Sequence, residues 1–462
     1  MKEAAIYLYE YQNKVSYDHD ETPIDIDALE LYLEQIWNNR EKSDYFRKDE
    51  DSAEEEDKIE EQRFLQILRR SKELKSNKYV GVIHFEGQRI NLLPKIFYHP
   101  NSENKTSVKD IQLHILWWLS YCEKIRFPSY EANLSSIDSD FFEILTYLFA
   151  KYTRELLSSA IYQQYQEVDR ELSFVKGRIN TNRYIDQNLS RGRWHKINCT
   201  YDSFEVDNTF NRVIKYVATL LIGVSKNTDS QKYLREIIFI LDEVDDRVMT
   251  SSDCSALKFN PMFSDFEKVR DYCQLFLDHS ISFDYKTDLK LFAFLLPMEV
   301  LFEDFIKGFI QKEVYDISFK SQVSGGYLAK LGKESHFKLR PDLLLKVEDR
   351  PIIGDTKYKI LDRYSKVPKY GISQSDMYQM VSYAISMKIT QIVLIYPKPS
   401  WRLDIINEEF IIHDSLAIQD ISVRVCEIPI TCDLDENLSN GNLTIFFENL
   451  VSKLSLSISG VF

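Results

Sequence analysis

The stretch Leu339–Leu361, LRPDLLLKVEDRPIIGDTKYKIL, constrains this chain more than any other. It reads as two short strands around a polar turn, Val347-Glu348-Asp349-Arg350-Pro351. Pro341-Asp342 opens the first strand, and Asp355-Thr356-Lys357 sits in the second. Strand side chains alternate between faces, so Asp355 and Lys357 share one face while Thr356 and Tyr358 take the other. Pairing of the two strands returns Asp342 to the side of Asp355. Carboxylates at that range repel unless positive charge sits between them. Lys357 supplies one such charge, and a hard divalent cation with oxygen ligands is the natural second.

The flanks add acids and amides at helical spacing. In Leu291–Ile310, LFAFLLPMEVLFEDFIKGFI, the pattern turns helical after Pro297, with Leu301, Phe302, Phe305, Ile306 and Phe309 on one face. At about 100° per residue Glu303 falls at the edge of that face and Asp304 points away from it. A carboxylate at a core edge is costly without a partner or a cation. Glu299, one turn earlier, is a rival for the same role. After the hairpin, Ser373 and Asp376 read as a helix start, and Gln379 and Tyr383 share one helix face. Strands are expected at Gln391–Tyr396 and Ile421–Ile428. The order is helix, strand, strand, helix, strand.

Composition narrows the setting. The chain has 462 residues, 44% hydrophobic and 28% charged, enough for several globular domains. A net charge of −14 argues against an overall nucleic-acid coat but leaves room for a local basic channel. The tract Glu41–Gln62 holds 11 acidic and 4 basic residues and reads as an acidic insertion with a solvated face. The six cysteines form no C-x-x-C pair, so neither a zinc site nor a disulfide framework is expected. No apolar run is long enough to span a bilayer and the start carries no signal peptide, so the expected location is the cytoplasm.

Three regions follow. Residues 1–104 read as a β-rich N-terminal domain with the insertion at 41–62. Val80–Phe97 forms a hairpin around Glu86-Gly87-Gln88, after a helix at Asp25–Asn38. Residues 105–287 alternate helices (Ile111–Ile125, Asp140–Tyr165, Asn208–Gly223, Gln231–Val244) with a basic β-like segment, Tyr165–Thr200. That segment carries Arg178, Arg183, Arg191, Arg193, His195 and Lys196, which suit phosphates, an acidic protein surface or simply solvated strand faces. Residues 288–462 hold the hairpin. Gly326-Tyr-Leu-Ala-Lys-Leu-Gly332-Lys333-Glu334 is the nearest thing to a nucleotide loop. It has one residue too many between the glycines and Glu334 in place of Ser or Thr, so it reads as a loop before the hairpin.

Glutamate on the first helix, Pro-Asp and Asp-x-Lys on paired strands, and Gln-x-x-x-Tyr on the second helix together resemble the PD-(D/E)xK nuclease core. The resemblance extends to the McrC family, the nuclease subunit of the McrBC modification-dependent restriction system. It rests on Gly81…Gly87…Leu92-Leu93-Pro94-Lys95-Ile96, Val175-Lys176-Gly177-Arg178-Ile179, Cys199–Phe204 through Asn208 and Asn211-Arg212, and Pro297-Met298 with Leu301-Phe302-Glu303. It continues in Leu339-Arg340-Pro341-Asp342, Asp355–Lys359, and Asp376–Met380 with Tyr383.

The resemblance implies an α/β C-terminal PD-(D/E)xK core, a mixed central sheet flanked by helices, behind an α+β N-terminal half. It implies an Mg²⁺-dependent DNA endonuclease in a GTP-dependent phage-defence complex that acts on 5-methylcytosine-type DNA. Glu303, Asp342, Asp355 and the Thr356 carbonyl would hold Mg²⁺. Lys357 would activate water or offset charge, with Gln379 and Tyr383 in support. The expected partners are double-stranded DNA and an AAA+ GTPase of the McrB type in a hexameric ring, which residues 105–287 would dock and stimulate. Two other readings stay open: a non-catalytic assembly and GTPase-stimulating subunit, and a stand-alone PD-(D/E)xK repair nuclease.

Overall fold

The computed structural model describes residues 5–18, 24–40, 64–85, 88–99, 106–122, 141–260, 263–279, 292–314, 317–321, 326–331, 334–347, 350–362, 369–413, 420–432 and 448–455. The acidic tract at 41–62 lies outside them. The chain divides into two compact units, residues 1–144 with 278–462, and residues 145–277. The N-terminal sheet and the hairpin region belong to one unit, because the strand before the first helix of the hairpin region is built into the N-terminal sheet.

That sheet has the order β1-β6-β5-β10, from β1 (Ala5–Tyr9), β5 (Tyr79–Phe85), β6 (Gln88–Leu93) and β10 (Phe292–Pro297). β5 and β6 form the expected hairpin, and β10 pairs antiparallel with β5, Leu295 opposite Gly81. A Cβ on Gly81, whose φ is +136°, would lie 1.9 Å from the Phe294 carbonyl oxygen, so the approach of β10 requires glycine there. The short strands β2 (Lys14–Ser16), β3 (Leu65–Leu68) and β4 (Glu73–Ser76) make a three-stranded sheet in the order β2-β4-β3. Helix α1 (Ile26–Arg40) contributes Leu29, Tyr32 and Leu33 to the same core as Ile6, Leu8, Ile83 and Leu92.

Helix α2 (Val108–Leu119) is capped by Ser107, whose side chain accepts the Asp110 N–H. Helix α3 (Phe141–Ser159) runs into the second unit. There β7 (Gln164–Leu172), β8 (Arg178–Ile179) and β9 (Ile197–Glu205) form a ribbon in the order β7-β9-β8. Helices α4 (Thr209–Val224), α5 (Thr228–Ile240) and α6 (Ser264–His279) complete this unit. Four basic side chains of the segment pair with acids of the ribbon. Arg170 meets Glu205, Arg178 meets Glu167, Arg183 meets Asp169 and Lys196 meets Glu171. Its apolar side chains are the more open feature: Tyr165 is 72% and Trp194 70% exposed.

In the first unit, helix α7 (Met298–Glu313) follows β10 directly, with Pro297 at its N-cap. It is buried on most of its circumference, not on one stripe. Trp117 and Tyr121 meet Phe305 ring to ring, and a Cβ on Gly308 would sit 1.8 Å from the Tyr121 carbonyl oxygen. Asp304 is consequently 0% exposed. The one-sided wheel reading that turned Asp304 away is wrong, because a helix packed from two sides has no open back.

A six-stranded mixed sheet follows, in the order β11-β14-β15-β16-β18-β17, from β11 (Ser318–Ser321), β14 (Leu343–Val347), β15 (Arg350–Thr356), β16 (Gln391–Pro397), β17 (Asn407–Ile412) and β18 (Ile421–Ile428). β14 and β15 are antiparallel, whereas β15, β16 and β18 run parallel. A parallel β15–β16 pair needs a crossover, and helix α8 (Gln374–Met387) supplies it. Ser373 accepts the Asp376 N–H at its start, and Lys388 closes it in the left-handed region at φ 57°. β16 is buried along Ile392–Pro397, as a covered parallel strand should be.

The segment read as a loop before the hairpin contains a two-stranded hairpin, β12 (Tyr327–Leu331) with β13 (Glu334–Lys338). Leu328, Leu331 and Phe337 are all exposed, so no buried alternation marked these strands in the sequence. Among the described residues, no helix is long and apolar enough to cross a membrane.

Candidate active site

The β14–β15 register places Leu343 opposite Gly354, so Asp342 and Asp355 occupy the next facing positions. Asp342 is held there by Thr356, whose N–H and hydroxyl both donate to Oδ2, at 2.8 and 2.9 Å. Lys357 Nζ lies 2.7 Å from Asp355 Oδ2. It also donates to Gln379 Oε1 at 3.2 Å. Gln379 Nε2 donates to the Tyr383 hydroxyl at 2.8 Å, and that hydroxyl donates to the Arg340 carbonyl at 3.1 Å. The bonds thus run from the lysine through α8 back to the approach of Asp342. Five of the expected residues are brought together: Asp342 is bonded to Thr356, and Asp355, Lys357, Gln379 and Tyr383 form one chain of polar contacts beside it.

Glu303 enters through its charge, which acts on both Asp342 and Asp355. Glu299, the rival, is exposed, and its charge acts on Glu10, Tyr11 and Lys95. Glu303→Gln is therefore expected to slow any reaction of this site by roughly 100-fold or more, because it removes a charge aimed at the facing carboxyls. Glu299→Gln is expected to leave the rate within about threefold, since its charge acts elsewhere. Equal loss in both variants, in a cleavage assay, would refute this assignment of Glu303.

The cluster holds more negative charge than its lysine offsets. Burial, then the charges of Asp355 and Glu303, push the Asp342 carboxyl up to about 8, against the Thr356 N–H and Lys357. Asp355, 1% exposed, is raised by burial, against the pull of Lys357. Burial disfavours the Lys357 ammonium, but Asp355, Asp342 and Asp376 outweigh it and leave its pKa raised. Tyr383 is pushed up to about 12 by burial and by Asp355.

The sequence reading missed two members. Lys359 Nζ pairs with Asp376 Oδ2 at 2.8 Å. Burial acts against the Asp376 charge, yet Lys359 and the Ser373 hydroxyl hold its pKa below the usual range. Both lay in plain positional reach: Lys359 is two residues past Lys357, and Asp376 precedes Gln379 by one helical turn.

Among the described residues, no three acidic, histidine or cysteine side chains are already gathered as a metal cage. The donor chemistry nonetheless suits a hard divalent cation. Two facing carboxyls are both driven toward the protonated form, the condition that bound positive charge relieves.

A family model described as McrBC 5-methylcytosine restriction system component matches residues 74–397. The chain belongs to the McrBC family. The matched span contains Glu303, Asp342, Asp355, Lys357, Gln379 and Tyr383, so the McrBC match covers the whole cluster and leaves residues 1–73 and 398–462 outside. Among solved structures the chain is similar to one from a half-complex of the tetradecameric assembly of Thermococcus gammatolerans McrB AAA+ hexamers with bound McrC. The identity is 17%, the TM-score 0.65, and the match covers 96% of this chain and 100% of that one. A second similarity, to the Thermococcus gammatolerans McrBC complex, has 17% identity and a TM-score of 0.49, covering 67% of this chain and 88% of that one. No curated protein matches. The first similarity supports the fold: mixed sheets flanked by helices.

Proposed function

We propose that this McrBC-family chain is the DNA-cutting subunit of a GTP-dependent restriction complex, with an Mg²⁺-dependent PD-(D/E)xK centre. One observation carries the proposal: Asp342, Asp355 and Lys357 meet at the ends of paired strands, with Glu303 in charge range and Gln379–Tyr383 behind the lysine. Asp342, Asp355 and Glu303, with the Thr356 carbonyl, would hold the cation. When bound, it supplies Lewis acidity toward the phosphodiester and the attacking water.

The chain's own residues do the rest. Thr356 fixes Asp342. Asp355 keeps Lys357 charged, and Gln379 aims the ammonium toward the place where a water would approach the phosphorus. The ammonium then orients that water and offsets the charge that develops on the phosphate oxygens. The partner reading draws on the T. gammatolerans assembly, in which McrC is bound to McrB AAA+ hexamers. Residues 145–277, with the exposed aromatics of the β7–β9 ribbon, are proposed to engage such a ring, in the cytoplasm.

The test is cleavage of methylated double-stranded DNA by the purified chain with its AAA+ partner. Cutting is expected only with partner, GTP and Mg²⁺ together, and EDTA is expected to abolish it. Cutting by the chain alone, without GTP, would favour a stand-alone nuclease. GTPase stimulation with no cutting under any condition would favour an assembly subunit.

A further inference from the structure

The backbone that carries Lys357 is held from outside its own sheet. Lys95, in the turn after β6, reaches across the unit and donates from Nζ to the Tyr358 carbonyl at 2.7 Å. The same ammonium lies 4.4 Å from the centre of the Tyr358 ring. Lys95 is itself fixed. Its N–H donates to Glu10 Oε2 at 3.1 Å, and Glu10, directly after β1, is 0% exposed. Tyr358 is buried between this pair and α7, its ring 5.7 Å from that of Phe302, the neighbour of Glu303. One residue before it, the Lys357 N–H donates to the Ile395 carbonyl at 2.9 Å. A few residues on, Arg402 donates to the Leu361 carbonyl at 2.8 Å.

Lys95 is half-buried. Burial disfavours its charge, and the charges of Glu10 and Glu299 work against that. A half-buried ammonium that donates to one main-chain carbonyl restrains the backbone at that carbonyl, and here the next residue back carries the reactive lysine.

We propose that Lys95, seated by Glu10, is a positioning residue for DNA cleavage: it locks the Tyr358 carbonyl and so sets where Lys357 stands against Asp355. The inference rests on the reading of Lys357 as the reactive lysine. It makes the N-terminal sheet part of the cutting geometry.

The test compares Lys95→Met, Lys95→Arg and Lys357→Met in the full chain assembled with its AAA+ partner, Mg²⁺ and GTP. Displacing a reactive group by a fraction of an ångström to an ångström costs on the order of 10–100-fold in rate, so Lys95→Met is expected to slow single-turnover cutting at saturating DNA by about tenfold or more. The DNA concentration for half-maximal rate and the stimulated GTP hydrolysis are expected to stay within about twofold, because neither uses this geometry. Lys95→Arg, which keeps a cationic donor, is expected to recover much of the rate. Cutting by Lys95→Met within about twofold of wild type would overturn the inference, as would parallel loss of cutting and GTPase stimulation. If Lys95→Met does not fold, Glu10→Gln carries the test: slowing of about threefold or more with unchanged half-saturation supports the inference, and unchanged cutting overturns it. Wild-type-like cutting by Lys357→Met would instead remove the cleavage reading on which the inference stands.

Discussion

Replacing Asp355 by asparagine is expected to lower Mg²⁺-dependent DNA cleavage by roughly a thousandfold or more, as expected when a centre that binds charge in the transition state loses a ligand. The fold is expected to survive. Asp355 is buried, and its pKa stands above the ordinary carboxylate value even with Lys357 beside it. A raised acid pKa means that ionisation costs folding free energy. Below the unfolded carboxylate pKa both states are protonated and no cost exists. As pH rises past it the unfolded chain ionises first and the native state is penalised. Asparagine removes that penalty. In EDTA, thermal unfolding is therefore expected to show Asp355→Asn at least as stable as wild type at neutral pH, with the difference vanishing at acid pH. A variant markedly less stable at neutral pH would show that the carboxylate is a structural anchor.

Lys357→Met is expected to cost about 100–10,000-fold in cleavage, the range for a positioned general acid–base or charge-stabilising group. Its effect on the fold is expected to be the opposite of that of Asp355→Asn. Lys357 is the cation whose charge acts on both Asp342 and Asp355, and its loss leaves two buried carboxyls with less compensation. Their pKa values are expected to rise further, and neutral-pH stability to fall below wild type. Lys357→Arg is not expected to restore cutting, because a planar guanidinium cannot take the place of a compact ammonium between Asp355 and Gln379. Single-turnover cleavage alongside thermal unfolding separates the two effects. Cleavage by Lys357→Met within tenfold of wild type would remove the lysine from the mechanism.

The arrangement of the candidate cluster was legible because its residues lie on, or directly beside, regular elements whose periods are known. Strand alternation put Asp355 and Lys357 together, hairpin pairing returned Asp342, and the four-residue helix spacing joined Gln379 to Tyr383. Glu303 against Glu299 could not be decided by the wheel alone. The structure separates them by what each charge acts on.

Other features were not readable, for definite reasons. Asp304 was misplaced because α7 is packed from more than one side, which erases the stripe. The β12–β13 hairpin shows no buried alternation, so it resembled a loop. The pairing of β10 with β5 joins distant parts of the chain, which no local pattern reveals. The Lys95–Tyr358 bond is of the same kind: local pattern says nothing about which carbonyl a lysine far along the chain will meet. The pairing of basic ribbon residues with acids was not readable either, because partners such as Glu205 and Glu171 lie far along the chain from Arg170 and Lys196.

The central claim is that Asp342, Asp355 and Lys357 form a cutting centre distinct from whatever engages the partner. The most direct test reads two activities in one tube, DNA cleavage and GTP hydrolysis, for complexes assembled with wild type or with Asp355→Asn. The account predicts that the variant complex hydrolyses GTP at the wild-type rate and leaves the DNA intact. DNA cut at the wild-type rate by the Asp355→Asn complex would contradict it.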